Sequence, residues 1–133
     1  MLIDTGILVA AADSSDPNNE AAVGILANNA EKLVTDAILS EAHHLMSARS
    51  GGKVAAAFLE SVDHDLFVEC STRADRDRAK GLCRKYLDAR LDYTDALTIA
   101  IAERLNERVV ATLNPRHFRL VRPRHVTAIE IVP

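Results

Sequence analysis

Three observations predict an α/β fold with a mainly parallel central sheet. Short apolar runs of strand length alternate with longer runs of helical spacing from one end of the chain to the other. Of the 133 residues, 48% are hydrophobic, which argues against disorder and suffices to fill a real core. No repeat, low-complexity tract or interior linker interrupts the pattern, so residues 1–133 are expected to form a single domain.

The elements follow in order. "MLID" reads as a short buried strand, and a helix begins near Thr5. "DSSDPNN" is a loop, with three potential helix caps and a proline. "NEAAVGILANN" has helical spacing and ends in Asn, a tolerated terminator. "KLVT" is a second strand. From Asp36, "DAILSEAHHLMSAR" is helical until "SGG" stops it, and "KVAAAFLESV" is another helix. "DLFVEC" is a strand, after which Thr72 and Asp75 form a capping-box pattern ahead of the charged helix "RADRDRAKGLCRKYLDAR". "TDALTIAIAERLN" is the most apolar helix and "RVVATLN" the next strand. A basic connection, "HFRLVRPRHV", leads to a last strand, "TAIEIV".

Composition narrows the setting. No apolar stretch approaches the ~20 residues that cross a bilayer. The apolar start lacks a preceding basic residue and is broken by Asp4, which is not the pattern of a secretory signal. Cys70 and Cys83 form neither a CxxC motif nor a disulfide framework, which suits a reducing compartment, and a cytoplasmic protein is expected. Charge is uneven: residues 1–70 hold three basic and eleven acidic side chains, residues 71–133 thirteen basic and eight acidic. Such a split can separate an acidic working face from a basic one that meets a polyanion, although solvated helix faces produce it too.

The acids pose the chemical question. In open α/β sheets ligands bind beyond the carboxyl ends of the strands. Asp4 closes the first strand and Asn114 the strand "RVVATLN", so both face one region if those strands are neighbours. Glu41 has Ala37, Ile38, Leu45 and Ala48 at helical spacing, which puts it on or beside a core-facing stripe. Asp95 opens the most apolar helix. Each has an ordinary explanation: Asp4 as a helix cap, Asp95 as a charge suited to a helix N-terminus, Glu41 in an ion pair. Together they form a set that repels itself without a cation, and Mg²⁺ takes such oxygen ligands.

"MLIDTGILVA", a Glu within a helix, "YTDALTIAIAERL" and "VVATLNPRHF", in that order and spacing, resemble the PIN-domain ribonucleases, most closely the VapC-type toxins of bacterial toxin–antitoxin pairs. The resemblance spans nearly the whole chain. It implies a three-layer α/β/α domain and a metal-dependent endoribonuclease that leaves 5′-phosphate and 3′-hydroxyl ends. It further implies Asp4, Glu41 and Asp95 as ligands of one Mg²⁺ or Mn²⁺, with RNA as substrate, a cognate antitoxin and a homodimer. Thr5 and Thr112 stand where the family often has hydroxyls. Asn114 departs from the pattern, since many members carry a fourth acid there. An amide still ligates through oxygen but adds no charge, which puts a two-metal mechanism in doubt and admits a binding-only rival. Asp92, three residues before Asp95, is read as a cap or supporting residue. A phosphate-receiver domain, the other class with acids around Mg²⁺, wants paired acids after the first strand and a late lysine; "LIDTG" has one acid and no lysine follows Lys85.

The remaining polar residues support no second chemistry. His43 and His44 point to different sides of a helix and lack zinc-site spacing, so they read as surface or packing residues. Arg116, His117, Arg119, Arg122, Arg124 and His125 are an expected RNA-contacting rim, or else a solvated loop or a patch that docks acidic residues of a partner.

Overall fold

In the computed structural model, which describes residues 1–133, five parallel strands form one sheet flanked by seven α-helices. The elements are β1 (Leu2–Ile3), α1 (Thr5–Ala11), α2 (Asn19–Ala27), β2 (Leu33–Thr35), α3 (Asp36–Ser50), α4 (Gly52–Asp65) and β3 (Phe67–Glu69). Next come α5 (Arg73–Lys85), α6 (Tyr93–Leu105), β4 (Val109–Ala111), α7 (Arg116–Leu120) and β5 (Glu130–Val132). Strand order across the sheet is β3-β2-β1-β4-β5, with every pairing parallel.

Strand side chains alternate between faces, and the core divides accordingly. Leu2 and Val110 pack with Leu82, Leu97, Ile99, Ile101 and Phe118 on the face covered by α5, α6 and α7. Ile3, Val34 and Ala111 pack with Ile7, Leu8, Ile38 and Met46 on the face covered by α1 to α4. This is the α/β/α arrangement expected. No helix is long and apolar enough to cross a membrane.

The sheet reverses direction of growth at β1, which pairs with β2 on one side and β4 on the other. A crevice therefore opens beyond the carboxyl ends of β1 and β4. Ile3 lies in register with Ala111, and the Asp4 N–H donates to the Ala111 carbonyl at 2.9 Å. The residues just beyond both strands, Asp4 and Thr112, are thereby brought face to face.

Local chemistry sets the element ends. Thr72 and Asp75 form the expected capping box: the Thr72 hydroxyl accepts from the Asp75 N–H at 3.1 Å and the Asp75 carboxylate accepts from the Thr72 N–H at 2.9 Å. Gly51, at φ 91, ends α3 and lets α4 start at once, a left-handed backbone that glycine adopts without steric cost.

Two segments differ from the sequence reading. The charged helix ends at Lys85 rather than Arg90; a single 3₁₀ turn (Leu87–Ala89) and a left-handed Arg90 then redirect the chain toward α6. The basic connection begins with α7, in which His117 and Phe118 are buried together with Val121 just past its end. That i, i+1, i+4 spacing is present in the sequence, but the arginines around it drew the reading toward a solvated loop.

Candidate functional site

Asp4 leaves β1 in extended conformation and caps α1. One carboxylate oxygen accepts the Thr5 N–H at 2.7 Å and the other accepts the Thr112 hydroxyl at 2.6 Å. With 9% of its surface exposed, Asp4 is a nearly buried carboxylate. Burial raises its pKa above the ordinary carboxylate range, against the pull of these two donors, and the Glu41 and Asp92 charges raise it further.

Glu41 comes from α3, where Ile38, Ala42 and Met46 form the buried face and Glu41 itself is exposed. Glu41 thus lies beside the core-facing stripe and at the rim of the crevice: of the residues at its helical spacing Ile38 is buried and Ala37 and Leu45 are half-buried, while Ala48 is exposed. Across 36 residues of sequence it accepts the Thr5 hydroxyl at 2.5 Å. Thr5 therefore serves two acids at once, its N–H on Asp4 and its hydroxyl on Glu41.

Asp92 caps α6 by accepting the Asp95 N–H at 2.9 Å, the capping role expected for it. It also lines the crevice. Asp95, in the first turn of the same helix, is tied to α7: its Oδ2 lies 2.6 Å from His117 Nδ1. Asp92 Oδ2 lies 3.8 Å from that nitrogen, so both acids face one imidazole. Burial pushes the Asp95 carboxyl up to about 7; the His117 hydrogen bond opposes this, while the Asp92 and Asp4 charges add to it.

A cavity of about 260 Å³ joins these groups; Asp4, Glu41, Asp92, Asp95 and the Asn114 amide line it, and no lysine or arginine does. Asn114 follows β4 with its N–H on the Thr112 hydroxyl, 3.0 Å away. The four acids and the amide are an all-oxygen donor set. Two of the carboxylates have raised pKa values, chiefly because burial disfavours their charged form and further because neighbouring acids repel it, and a hard divalent cation relieves both. The donor set thus fits Mg²⁺ or Mn²⁺.

His117 had been read as part of an RNA-contacting rim. It is buried instead, at 8% exposure, and belongs to the acid cluster. Arg116, Arg119, Arg122 and Arg124 are exposed as expected, and His125 is half-buried against the Glu107 carbonyl at 2.5 Å. Of the adjacent pair, His43 is half-buried and His44 exposed, and neither lines the acid cavity. A larger cavity, about 820 Å³, lies away from the acids among Leu8, Val23, Leu26, Val54 and Phe58 and is mainly apolar.

The PIN domain family model matches residues 1–122. The chain is 29% identical over 126 residues to Ribonuclease VapC26 of Mycobacterium tuberculosis (strain ATCC 25618 / H37Rv), covering 92% of this chain and 93% of that protein. The structure of VapC20 from Mycobacterium tuberculosis, described as a sarcin-ricin-loop-cleaving toxin, superposes with a TM-score of 0.83 at 16% identity, over 94% of this chain and 97% of that one. A chain of VapBC2 from Rickettsia felis, bound to a DNA fragment from its promoter, superposes with a TM-score of 0.72, also at 16% identity, over 99% and 98%.

Proposed function

Because the chain belongs to the PIN-domain family, we propose that it is a VapC-type endoribonuclease, the divalent-metal-dependent toxin of a toxin–antitoxin pair. The observation that carries the reading is the cavity beyond β1 and β4, where four carboxylates and an amide meet with no lysine or arginine among them. Asp4, Glu41 and Asp95 would hold one Mg²⁺ or Mn²⁺, with the Asn114 amide oxygen as a weaker donor. When bound, such an ion offsets the acids' charge, activates water and stabilises charge developing on a phosphodiester.

The chain's own residues prepare that site. Thr112 and the Thr5 N–H orient Asp4, the Thr5 hydroxyl orients Glu41, and His117 orients Asp95. Each acid is thus held by a donor anchored on another element or on the first turn of α1, so little rearrangement is needed when ligand arrives. Cleavage would leave a 5′-phosphate and a 3′-hydroxyl. No side-chain nucleophile is needed.

The same reading extends to partners. An antitoxin tail would enter the acidic cavity, where a cationic side chain meets the uncompensated carboxylates. The apolar cavity by Val23 and Phe58 is surface that a protein partner, antitoxin or second toxin copy, would cover.

Antitoxin-free protein should cut total cellular RNA at discrete positions in Mg²⁺ or Mn²⁺, read by 5′-end sequencing. Cuts that persist in EDTA or in Asp4→Asn would sink the reading.

Two variants probe its details. His117→Phe keeps a buried ring but removes the donor to Asp95; metal affinity should fall about 10- to 100-fold by calorimetry, the usual cost of losing a ligand's supporting hydrogen bond. Asn114→Asp adds a charge to the donor set and should tighten Mn²⁺ roughly tenfold while changing the cleavage rate less than about tenfold. If cleavage instead appears only in Asn114→Asp, the natural chain is a binding protein and Asn114 has abolished turnover.

A further inference from the structure

A second groove opens beside the acidic cavity, and its lining is of a different kind. It has a volume of about 590 Å³ and is lined by Asp77, Lys80, Cys83 and Arg84 of α5 and by Tyr93 at the start of α6. Tyr93 lines the groove and its chain neighbour Asp92 lines the acidic cavity, so the two sites adjoin at the start of α6. Proximity shows electrostatically as well: burial raises the Cys83 thiol pKa, and the Asp92 charge adds to it.

Packing does not account for this lining. Tyr93 is 46% exposed although it begins the most buried helix of the chain, in which Ala96 through Ala102 are all inside. On the outer side of α5, Asp77 pairs with Arg73 and with Lys80, all three more than half exposed, so Lys80 is weakly held, and Arg84 takes part in neither pair. At the end of α5, the Tyr86 hydroxyl accepts the Arg122 N–H at 3.2 Å. The exposed Arg122 therefore borders the same end of the helix.

An accessible aromatic ring flanked by cations, next to a phosphodiester-cutting centre, has the chemistry of a single-stranded nucleic acid track. A base freed from a helix stacks on the ring, and the backbone phosphate meets the cation. We propose that this groove is a nucleotide subsite for single-stranded RNA, in which Tyr93 stacks the base adjoining the cut and Arg84, with Lys80, binds the neighbouring phosphate. The proposal rests on the nuclease reading above. It also gives the charge asymmetry a purpose: acids hold the cutting centre, and basic residues of the second half hold the strand leading to it.

The test uses a pool of random-sequence 14-nucleotide single-stranded RNAs bound to full-length protein carrying Asp4→Asn, with affinity read by fluorescence anisotropy across a salt series. In that background Tyr93→Leu should weaken binding about tenfold, whereas Tyr93→Phe, which keeps the π-face, should match the parent. Arg84→Gln, an exposed substitution, should weaken all sequences alike and lower the salt slope by roughly one. A Phe variant as weak as the Leu variant would contradict stacking. Tyr93→Leu and Arg84→Gln that both bind like the parent would overturn the subsite and leave the nuclease reading standing. A parent that binds no RNA, together with natural protein that cuts none, would overturn both.

Discussion

Asp95→Asn is expected to lower RNA cleavage by at least about 10³-fold and to leave the metal-free protein no less stable than the natural one. The two halves of this result have one cause. Asp95 is nearly buried, at 14% side-chain exposure, and its neighbours Asp92 and Asp4 are acids. In the absence of a cation its charge is a cost to the fold, and the isosteric amide removes that cost while keeping a hydrogen-bonding partner for His117. The same charge is what a metal ion needs. Losing several kcal/mol of transition-state stabilisation corresponds to about three factors of ten in rate. Cleavage assays beside thermal melts in EDTA check both halves. An ordinary structural acid would lose stability with its charge and leave activity nearly intact.

Activity should also fall steeply in mild acid, by roughly 100-fold between pH 8 and pH 5 at subsaturating metal. Asp95 is pushed up to about 7, chiefly by burial, and a protonated carboxyl must shed its proton before it can ligate. Apparent metal affinity then weakens about tenfold for each pH unit below that value and levels off above it. Asp4, also raised by burial, steepens the acid side.

The stability of the metal-free protein moves the opposite way over this range. Asp95 has its ordinary value of 3.8 in the unfolded chain and about 7 in the folded one, so the folded state binds more protons between those limits. Stability therefore rises as pH falls from about 7 toward 4. Below that, a different group of acids takes over. Burial is the largest single influence on Asp75, Glu103 and Glu107 and raises them, but their hydrogen bonds and nearby cations together outweigh it: Arg104 and Thr72 for Asp75, Arg78 and Arg124 for Glu103, the Val109 and Arg108 N–H groups and the N-terminus for Glu107. Their contribution is present above the ordinary carboxylate pKa and is lost as pH falls through the lowered values. Metal-free melts across pH 3 to 9 should thus peak near pH 5, where cleavage is weak.

Much of the fold could be read from pattern because local chemistry and tertiary structure agree. Leu2 and Ile3 alternate between the two cores, Thr72 and Asp75 cap one helix reciprocally, and Gly51 ends another. Asp4 announced itself through conflict, a charge inside an apolar run, and the structure puts it at the strand end facing Thr112. Glu41 was harder: a helical stripe says which residues share a face but not where the buried arc ends, and Glu41 lies outside it.

His117 was missed for a stronger reason. Its partner Asp95 is 22 residues away, and they meet only because α7 folds back onto α6. Sequence spacing carries no record of that contact, and the surrounding arginines favoured a surface role. Asp92 was rightly taken for a cap, yet its place beside Asp4 and Glu41 depends on β1 and β4 being neighbours, a fact of sheet order rather than of local sequence.

The central claim is that the carboxylates beyond β1 and β4 form a cation site. Calorimetric titration of Mn²⁺ into antitoxin-free protein at pH 8, with Asp95→Asn beside it, tests that claim most directly. The account predicts binding at one ion per chain in the natural protein and its loss, or weakening by at least about 100-fold, in the variant. Undiminished binding in Asp95→Asn, or none in the natural protein, would contradict it.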